Sequence, residues 1–460
     1  MGLTPDAKCA CAGPCIRHVA SEGVSRHTPV AAPHQPDESG VLWRVAWRLL
    51  PLLLLLYVVS FLDRVNIATA ALQMNTDLGL DATTYGWASG SFFLTYLLCQ
   101  VPANWAFYRL GMRRWMAIIL TTWGLCSAAT AFVSGPVSLT AARLVLGAAE
   151  AGFYPAVICY LGRWFPSRFR ARAVAVFLLA IPVANIVGTP LSSALVEHAG
   201  LAGLPGWRTM FLLEGLPAVA LAAVAWRVLP DSVSQARWLS GSERRWLSRQ
   251  IETESHSTST GLMPGLTNRL IALLALVNVG LYFSLYAVQF FLPQIIARLS
   301  PKASITDVGW IAAGCYVIAA FAMFGWSLHS DRSGERIVHI IAPAFSGAIV
   351  LAGTVLEGSN QMLLIGITLM TACVFAAIPV FWSLTTAFWS GAAAATGVAT
   401  VNAISSLASF LGPYLTGFLT DSTGDYRLAL LVTAGFLILT VVGTVAVNNT
   451  AKRAIVRSLR

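Results

Sequence analysis

The 460-residue chain is 57% hydrophobic and only 11% charged, whereas soluble domains carry roughly a quarter charged residues. That composition excludes an ordinary globular enzyme and points to a membrane protein, in which the bilayer supplies the apolar surroundings that a core would otherwise provide. The net charge of +10 does not mark a nucleic-acid partner, because Lys and Arg are scattered through short loops and form no single patch.

Residues 1–42 hold no continuous apolar run, so no cleavable signal peptide is expected and the segment reads as a disordered cytoplasmic tail. Cys9, Cys11 and Cys15 cluster there without a second ligand pair at zinc-finger spacing. Cys99, Cys126, Cys159, Cys315 and Cys373 fall inside apolar runs, where a thiol behaves as a small hydrophobe. Neither a disulfide framework nor a metal centre is expected.

A bilayer-spanning helix needs roughly 20 apolar residues. Such runs occur near 49–72, 84–107, 115–134, 137–162, 171–196 and 208–230, and again near 268–297, 307–329, 337–357, 361–387, 393–418 and 427–448. The expected fold is therefore all-α and membrane-embedded: twelve transmembrane helices in two pseudo-symmetric six-helix bundles, 43–230 and 268–450. A polar linker, 231–267, joins them, and 451–460 forms a second tail. Within the linker Ser240 and Glu243 have capping-box spacing ahead of Trp246, Leu247 and Ile251, which predicts a short amphipathic helix on the membrane surface.

Basic residues fix the expected orientation. They fill the even-numbered loops and both tails: Arg44 and Arg48; Arg109, Arg113 and Arg114; Arg163, Arg168, Arg170 and Arg172; Arg237, Arg244, Arg245 and Arg249; Arg332 and Arg336; Lys452 and Arg453. The odd-numbered loops hold only Arg208, Arg298, Lys302 and Arg427. Both termini are expected in the cytoplasm, and a missed span would destroy this alternation.

One phrase recurs once per half: Arg109, Gly111, Arg113 and Arg114 in loop 2–3, and Gly325, Asp331, Arg332, Gly334 and Arg336 in loop 8–9. Gly suits a tight turn, and the basic residues suit helix-end carbonyls and acidic partners, so the expected role is a cytoplasmic gate latching one bundle to the other. With this repeat the chain resembles the major facilitator superfamily from about residue 43 to 450. Tyr57 to Asn66, Arg143 to Pro155, Trp164-Phe165-Pro166, Trp207-Arg208, Phe211 to Gly215, Leu292 to Ile295 and Phe381 to Pro413 resemble, more narrowly, its anion:cation symporter family. Tyr108 departs from the superfamily's loop Asp, and Thr385, Ser406, Ala408, Ser409, Asn278 and Phe291 depart from the narrower family's usual choices. The resemblance implies proton-coupled uptake of a small organic anion such as a sugar acid, tartrate, phthalate or hydroxyphenylacetate, and a bacterial inner membrane as the location.

Ionisable side chains at mid-bilayer cost several kcal/mol on the gentlest scales, so they face a cavity or a partner. Asp63, Arg64, Arg143 and Glu150 qualify. Arg143 and Glu150 are seven residues apart, close to two helical turns, with Gly147 on the same stripe. A guanidinium offers a planar fork to a carboxylate, and a carboxylate can exchange a proton. By resemblance as well as by chemistry, Glu150 is assigned as principal proton site, Asp63 as a second protonatable group, and Arg64 with Arg143 as the anion site. Tyr286, Gln289, Asn185, Trp382 and Asn402 are candidate cavity-lining residues, and Glu214 is read as a cap near an outer helix end or a partner of Arg208. No cofactor beyond the proton gradient is expected; the partners are substrate, proton and lipid, and the chain is expected to act as a monomer. A proton-coupled exporter of drugs or metabolites is the competing reading, and a transport-inactive sensor a third; two mid-membrane Arg favour an anionic cargo.

Overall fold

The computed structural model describes residues 37–201, 203–256, 264–388 and 391–458. Most of the expected tail, with Cys9, Cys11 and Cys15, lies outside them. Helix α1 runs from Glu38 to Leu78, starting five residues inside that tail and extending well past the predicted 49–72. Asp37 caps it by accepting from the amides of Ser39 and Gly40, and Gly79 ends it at φ 62°.

Eleven helical segments among the described residues are long and apolar enough to cross a membrane. One of them, Ala82–Phe132, is 51 residues long, twice what a crossing needs, and it reverses at Gly111 with φ 79° and ψ 169°. It therefore crosses twice, as α2 (82–110) and α3 (112–129). The remaining crossings are α4 (Pro136–Gly162), α5 (Ser167–His198), α6 (Gly206–Val228), α7 (Pro264–Gln289, continued by Leu292–Leu299), α8 (Ile305–Ser333), α9 (Ile337–Glu357), α10 (Asn360–Ala387), α11 (Gly391–Thr423) and α12 (Arg427–Ser458). Twelve crossings in two sets of six result. Helices α4, α5 and α7 are each interrupted once, near 151–152, 179 and 290–291, which is tolerable in a membrane only where protein or a cavity surrounds the break.

A linker helix is present at Gly241–His256, and its capping box is formed: the Ser240 amide donates to Glu243 at 2.8 Å and the Glu243 amide to Ser240 Oγ at 3.3 Å. Leu247 is buried, and Glu243 also pairs with Arg44 of α1, clasping the linker to the first bundle. Burial pushes the Glu243 carboxyl up, but the Ser240 donors and Arg44 outweigh it and hold it below the ordinary carboxylate range. The stabilisation is therefore present above that range and lost as pH falls through the lowered value.

Even-numbered crossing means that α1 begins and α12 ends at the same face, here called the terminal face. The halves meet through α1–α7, α2–α11 and α5–α8, and the hydrogen bonds between them cluster toward the opposite face. Asn75 donates to Gln294 at 3.2 Å, Tyr85 OH to the Phe290 carbonyl at 2.8 Å, Thr189 Oγ1 to the Gly309 carbonyl at 3.3 Å and Gln289 to Asn185 at 2.8 Å. Glycine permits the approach: a Cβ on Gly417 would lie 2.0 Å from the Ala82 carbonyl oxygen, and one on Gly86 2.3 Å from that of Pro413. The two bundles are thus sealed at the opposite face.

The loop phrase behaves differently from expectation. Gly111 and Gly334 (φ 67°) do make the tight turns, but Gly325 lies inside α8 with open space around it. Arg113 donates from its amide to Asp231, the first residue of the linker, at 2.9 Å and from Nε to the Leu229 carbonyl, at the end of the first bundle, at 3.2 Å. Arg336 pairs with Asp331 at 2.7 Å within its own loop, and Arg109 lies 3.8 Å over the Trp105 ring. Among the described residues these contacts brace the first bundle with the adjoining linker and, separately, the second bundle, while the hydrogen bonds between the bundles described above lie toward the other face.

Gly417→Val is expected to force α2 from α11 and to lower the thermal unfolding midpoint in detergent, by an overpacking cost of about 1–3 kcal/mol. Gly435→Ala, a helical site with nothing within 4 Å, should leave the midpoint unchanged or raise it slightly. Equal midpoints for both variants would contradict the packing described.

Candidate functional site

Adjacent residues on a helix point about 100° apart, so Asp63 and Arg64 serve different neighbours. Asp63 turns to α3, accepting from Ser127 Oγ at 2.6 Å and Trp123 Nε1 at 3.0 Å, and is fully buried. Arg64 turns to α4, where its guanidinium donates to Glu150 at 2.9 Å; Ser60, one turn earlier on the same face, lies 3.4 Å from the same carboxylate. Asp63 therefore sits beside the Arg64–Glu150 pair without belonging to it.

Arg143 completes the cluster. It is wholly buried and donates to the Arg64 carbonyl at 3.1 Å. Gly147, between Arg143 and Glu150 on α4, makes this depth possible, since a Cβ there would lie 2.1 Å from the Phe92 carbonyl oxygen of α2. The expected common face of α4 is thus real, and it is pressed against α1 and α2. Aromatic rings insulate the cations: Phe61, Phe92 and Tyr96 surround Arg64 at 5.0–5.6 Å, and Phe92 lies 5.2 Å from Arg143. Hydrogen bonding is incomplete, however. Arg143 Nε and Nη1, Arg64 Nε and Glu150 Oε1 are buried without a partner. Buried polar atoms are nearly always satisfied in a finished core, so this cluster has unfilled capacity, most of it donor capacity suited to an anion.

Exposure grades outward from the cluster. Tyr57, Tyr96 and Tyr286 are nearly sealed, with Tyr286 packed on Phe93 at 4.5 Å. Tyr154, Tyr282, Trp382 and Asn402 are half-buried and lie toward the terminal face, and Trp382 donates to Tyr282 OH at 3.3 Å. Asn185 and Gln289, expected to line an open cavity, instead bond to each other across the two halves and are buried. They form part of the seal in this conformation, leaving aromatic faces and phenol hydroxyls as the wall nearest Arg64.

Glu214 corrects another expectation. It lies inside α6, buried, accepting from Ser192 Oγ at 2.7 Å and Asn66 Nδ2 at 3.1 Å. Arg208 is engaged elsewhere, donating to the Ala131 carbonyl and lying 4.3 Å over Trp207. The carboxylate ties α1, α5 and α6 together. Trp123, Ser127 and Ser192, which with Asn66 satisfy Asp63 and Glu214, carry no marker in the sequence, because a neutral donor in an apolar run looks like any other packing residue. Tyr96 and Tyr282 are traceable only by their spacing of four from Phe92 and Tyr286.

Comparison with known proteins agrees with this architecture. The family described as the Major Facilitator Superfamily matches residues 53–298 and 274–456. An Agrobacterium vitis protein named "Putative tartrate transporter" is 40% identical over 90% of this chain and 96% of its own length. One from Pseudomonas putida, named "Putative metabolite transport protein NicT", is 35% identical over 86% and 92%. Among solved structures, an inward-facing, occupied bacterial homolog of the human lysosomal transporter Spinster superposes with a TM-score of 0.72 at 17% identity, covering 87% of this chain and 96% of that one. A multi-pass membrane protein with this fold, these relatives and a charge cluster between its first and fourth helices belongs to the major facilitator superfamily of transporters.

Proposed function

We propose that the chain is a secondary active transporter that takes up a small organic anion, a carboxylate, together with a proton by alternating access. The observation that carries this reading is the buried Arg64–Glu150 pair flanked by the unfilled guanidinium nitrogens of Arg143. In the empty state Glu150 neutralises Arg64. An arriving carboxylate competes for that guanidinium and for the free donors of Arg143, and Glu150, displaced, takes the proton. One negative charge and one proton enter together, so the net charge of the cluster is the same before and after. This equality matters, because an uncompensated charge in low dielectric would oppose movement of the bundles. Asp63 is a second proton site, reached when the Ser127 and Trp123 contacts loosen.

In this reading the terminal face is the cytoplasmic one, supported by the basic loops. The sealed face is then the outer one, and this conformation receives ligand from inside. A relative named for tartrate supports an anionic cargo, and a bacterial inner membrane is the location that fits these relatives. The chain works as a monomer in this reading.

In proteoliposomes with an imposed pH gradient, a labelled carboxylate from a panel should accumulate and be lost on adding an uncoupler. Glu150→Gln should abolish gradient-driven accumulation while keeping substrate exchange; full accumulation by this variant would remove Glu150 from proton coupling. Arg143→Ala should weaken binding by about 10- to 100-fold, the worth of charge-assisted hydrogen bonds, read by calorimetry or competition. Efflux driven by the gradient, with no accumulation of any carboxylate, would instead establish the exporter.

A further inference from the structure

The outer seal contains a matched pair of contacts that the charge cluster does not explain. Helix α2 opens with Asp81 as its local cap, accepting from the Thr84 amide, the third of the helix, at 2.7 Å. This leaves the first two amides to be satisfied from elsewhere. Asp421, near the end of α11 in the other half, accepts them: Ala82 N at 3.1 Å and Thr83 N at 2.6 Å, with the Thr83 hydroxyl on the same carboxylate. Helix α8, the counterpart of α2 six crossings later, opens with Ser304 as its cap, again satisfying the third amide, that of Asp307, at 3.1 Å. Its second amide, Thr306, donates to Glu197 at 2.7 Å, and Glu197 is near the end of α5, the counterpart of α11.

Each half thus lends a carboxylate to the second amide, a threonine, of a helix in the other half. The arrangement repeats under the pseudo-twofold relation. A carboxylate at a helix N-terminus combines hydrogen bonding with the favourable end of the helix dipole. Below each contact the helices touch through glycine: Gly417 and Gly86 for α11–α2, and Gly309 for α8–α5, where a Cβ would lie 2.4 Å from Ser193 Oγ. Separation of the outer ends necessarily breaks both caps.

We propose that Asp421 and Glu197 are the outer gate residues of the transport cycle, each holding the closed outer face by capping in trans the helix that faces it. The proposal rests on the alternating-access reading, since only a gate that opens needs a releasable latch. Both carboxylates are exposed and bond to backbone amides, so water can replace either contact once the ends part. A buried ion pair there would be far harder to release.

The test places a reporter behind the seal. Ser193 is fully buried against Gly309 and lies beyond the Asn185–Gln289 pair as seen from the terminal face. In a cysteine-free background carrying Ser193→Cys, the purified full chain in detergent is labelled with a hydrophilic maleimide. Asp421→Ala with Glu197→Ala should raise the labelling rate by roughly 3- to 30-fold, the factor that two charge–dipole contacts are worth. Asp421→Asn with Glu197→Gln, which keeps acceptor oxygens but removes the charge, should raise it less. A rate equal to the parent's in the double-alanine protein, at an unchanged unfolding midpoint, overturns the proposal. If the alanine protein does not fold, the amide protein decides: an increase supports the gate and an unchanged rate overturns it. Labelling needs neither substrate nor gradient, so failure of carboxylate uptake would leave this result standing, and an unchanged labelling rate beside intact uptake would remove only the gate.

Discussion

A guanidinium and a carboxylate held 2.9 Å apart with almost no access to water set the terms for the rest of this molecule. Removing water from both ions costs several kcal/mol each, and their attraction offsets this only while they remain together or find equivalent partners. Everything around Arg64 and Glu150 serves that requirement. Aromatic faces replace part of the lost hydration of Arg64, Ser60 supports the carboxylate, and Gly147 lets α4 approach α2 closely enough to bring Arg143 alongside. The donors left unfilled on Arg143 are the complement of the same constraint: buried donors without a partner are costly, and an anion is the kind of group that would relieve them.

The joints between halves are built from another kind of interaction. Asn185–Gln289, Asn75–Gln294 and the trans caps on α2 and α8 are neutral or backbone-directed contacts, each worth on the order of 1 kcal/mol net. Many modest contacts hold a face closed yet can be exchanged for water one after another. The strongly coupled charges lie within one bundle and the weaker polar contacts lie between bundles, a distribution that suits the rigid-body motion proposed above.

The sequence makes some of this legible and hides the rest for identifiable reasons. Crossing number was readable because hydrophobic length and basic loops are independent signals, and the turn at Gly111 reconciles a 51-residue helical run with the expected pair of spans. Arg64, Arg143 and Glu150 stood out because charge is expensive in hydrocarbon, and the seven-residue spacing placed two of them on one stripe. Which way each points is not readable: Asp63 has the same sequence signature as the other three, yet Trp123 and Ser127 hold it from α3. The role of Glu214 is not legible in the sequence because its donors lie 148 and 22 residues away in the chain. The loop phrase was recognised but its partners were not, since a motif reports composition while its contacts depend on which face is closed.

The buried acidic and basic side chains described here, Asp63, Arg64, Arg143, Glu150 and Glu214, all belong to the first six helices, whereas the buried polar residues described in the membrane core of the second six, including Asn278, Ser284, Gln289, Thr385 and Ser405, are neutral amides and hydroxyls. Two halves of common architecture have thereby become chemically unlike. In the transport cycle proposed above, the electrical work would fall to the first half and the shaping of the cargo's surroundings to the second. Hydroxyls, amides and rings in the second half can be exchanged without the desolvation cost that a comparable change among the charged groups of the first would incur.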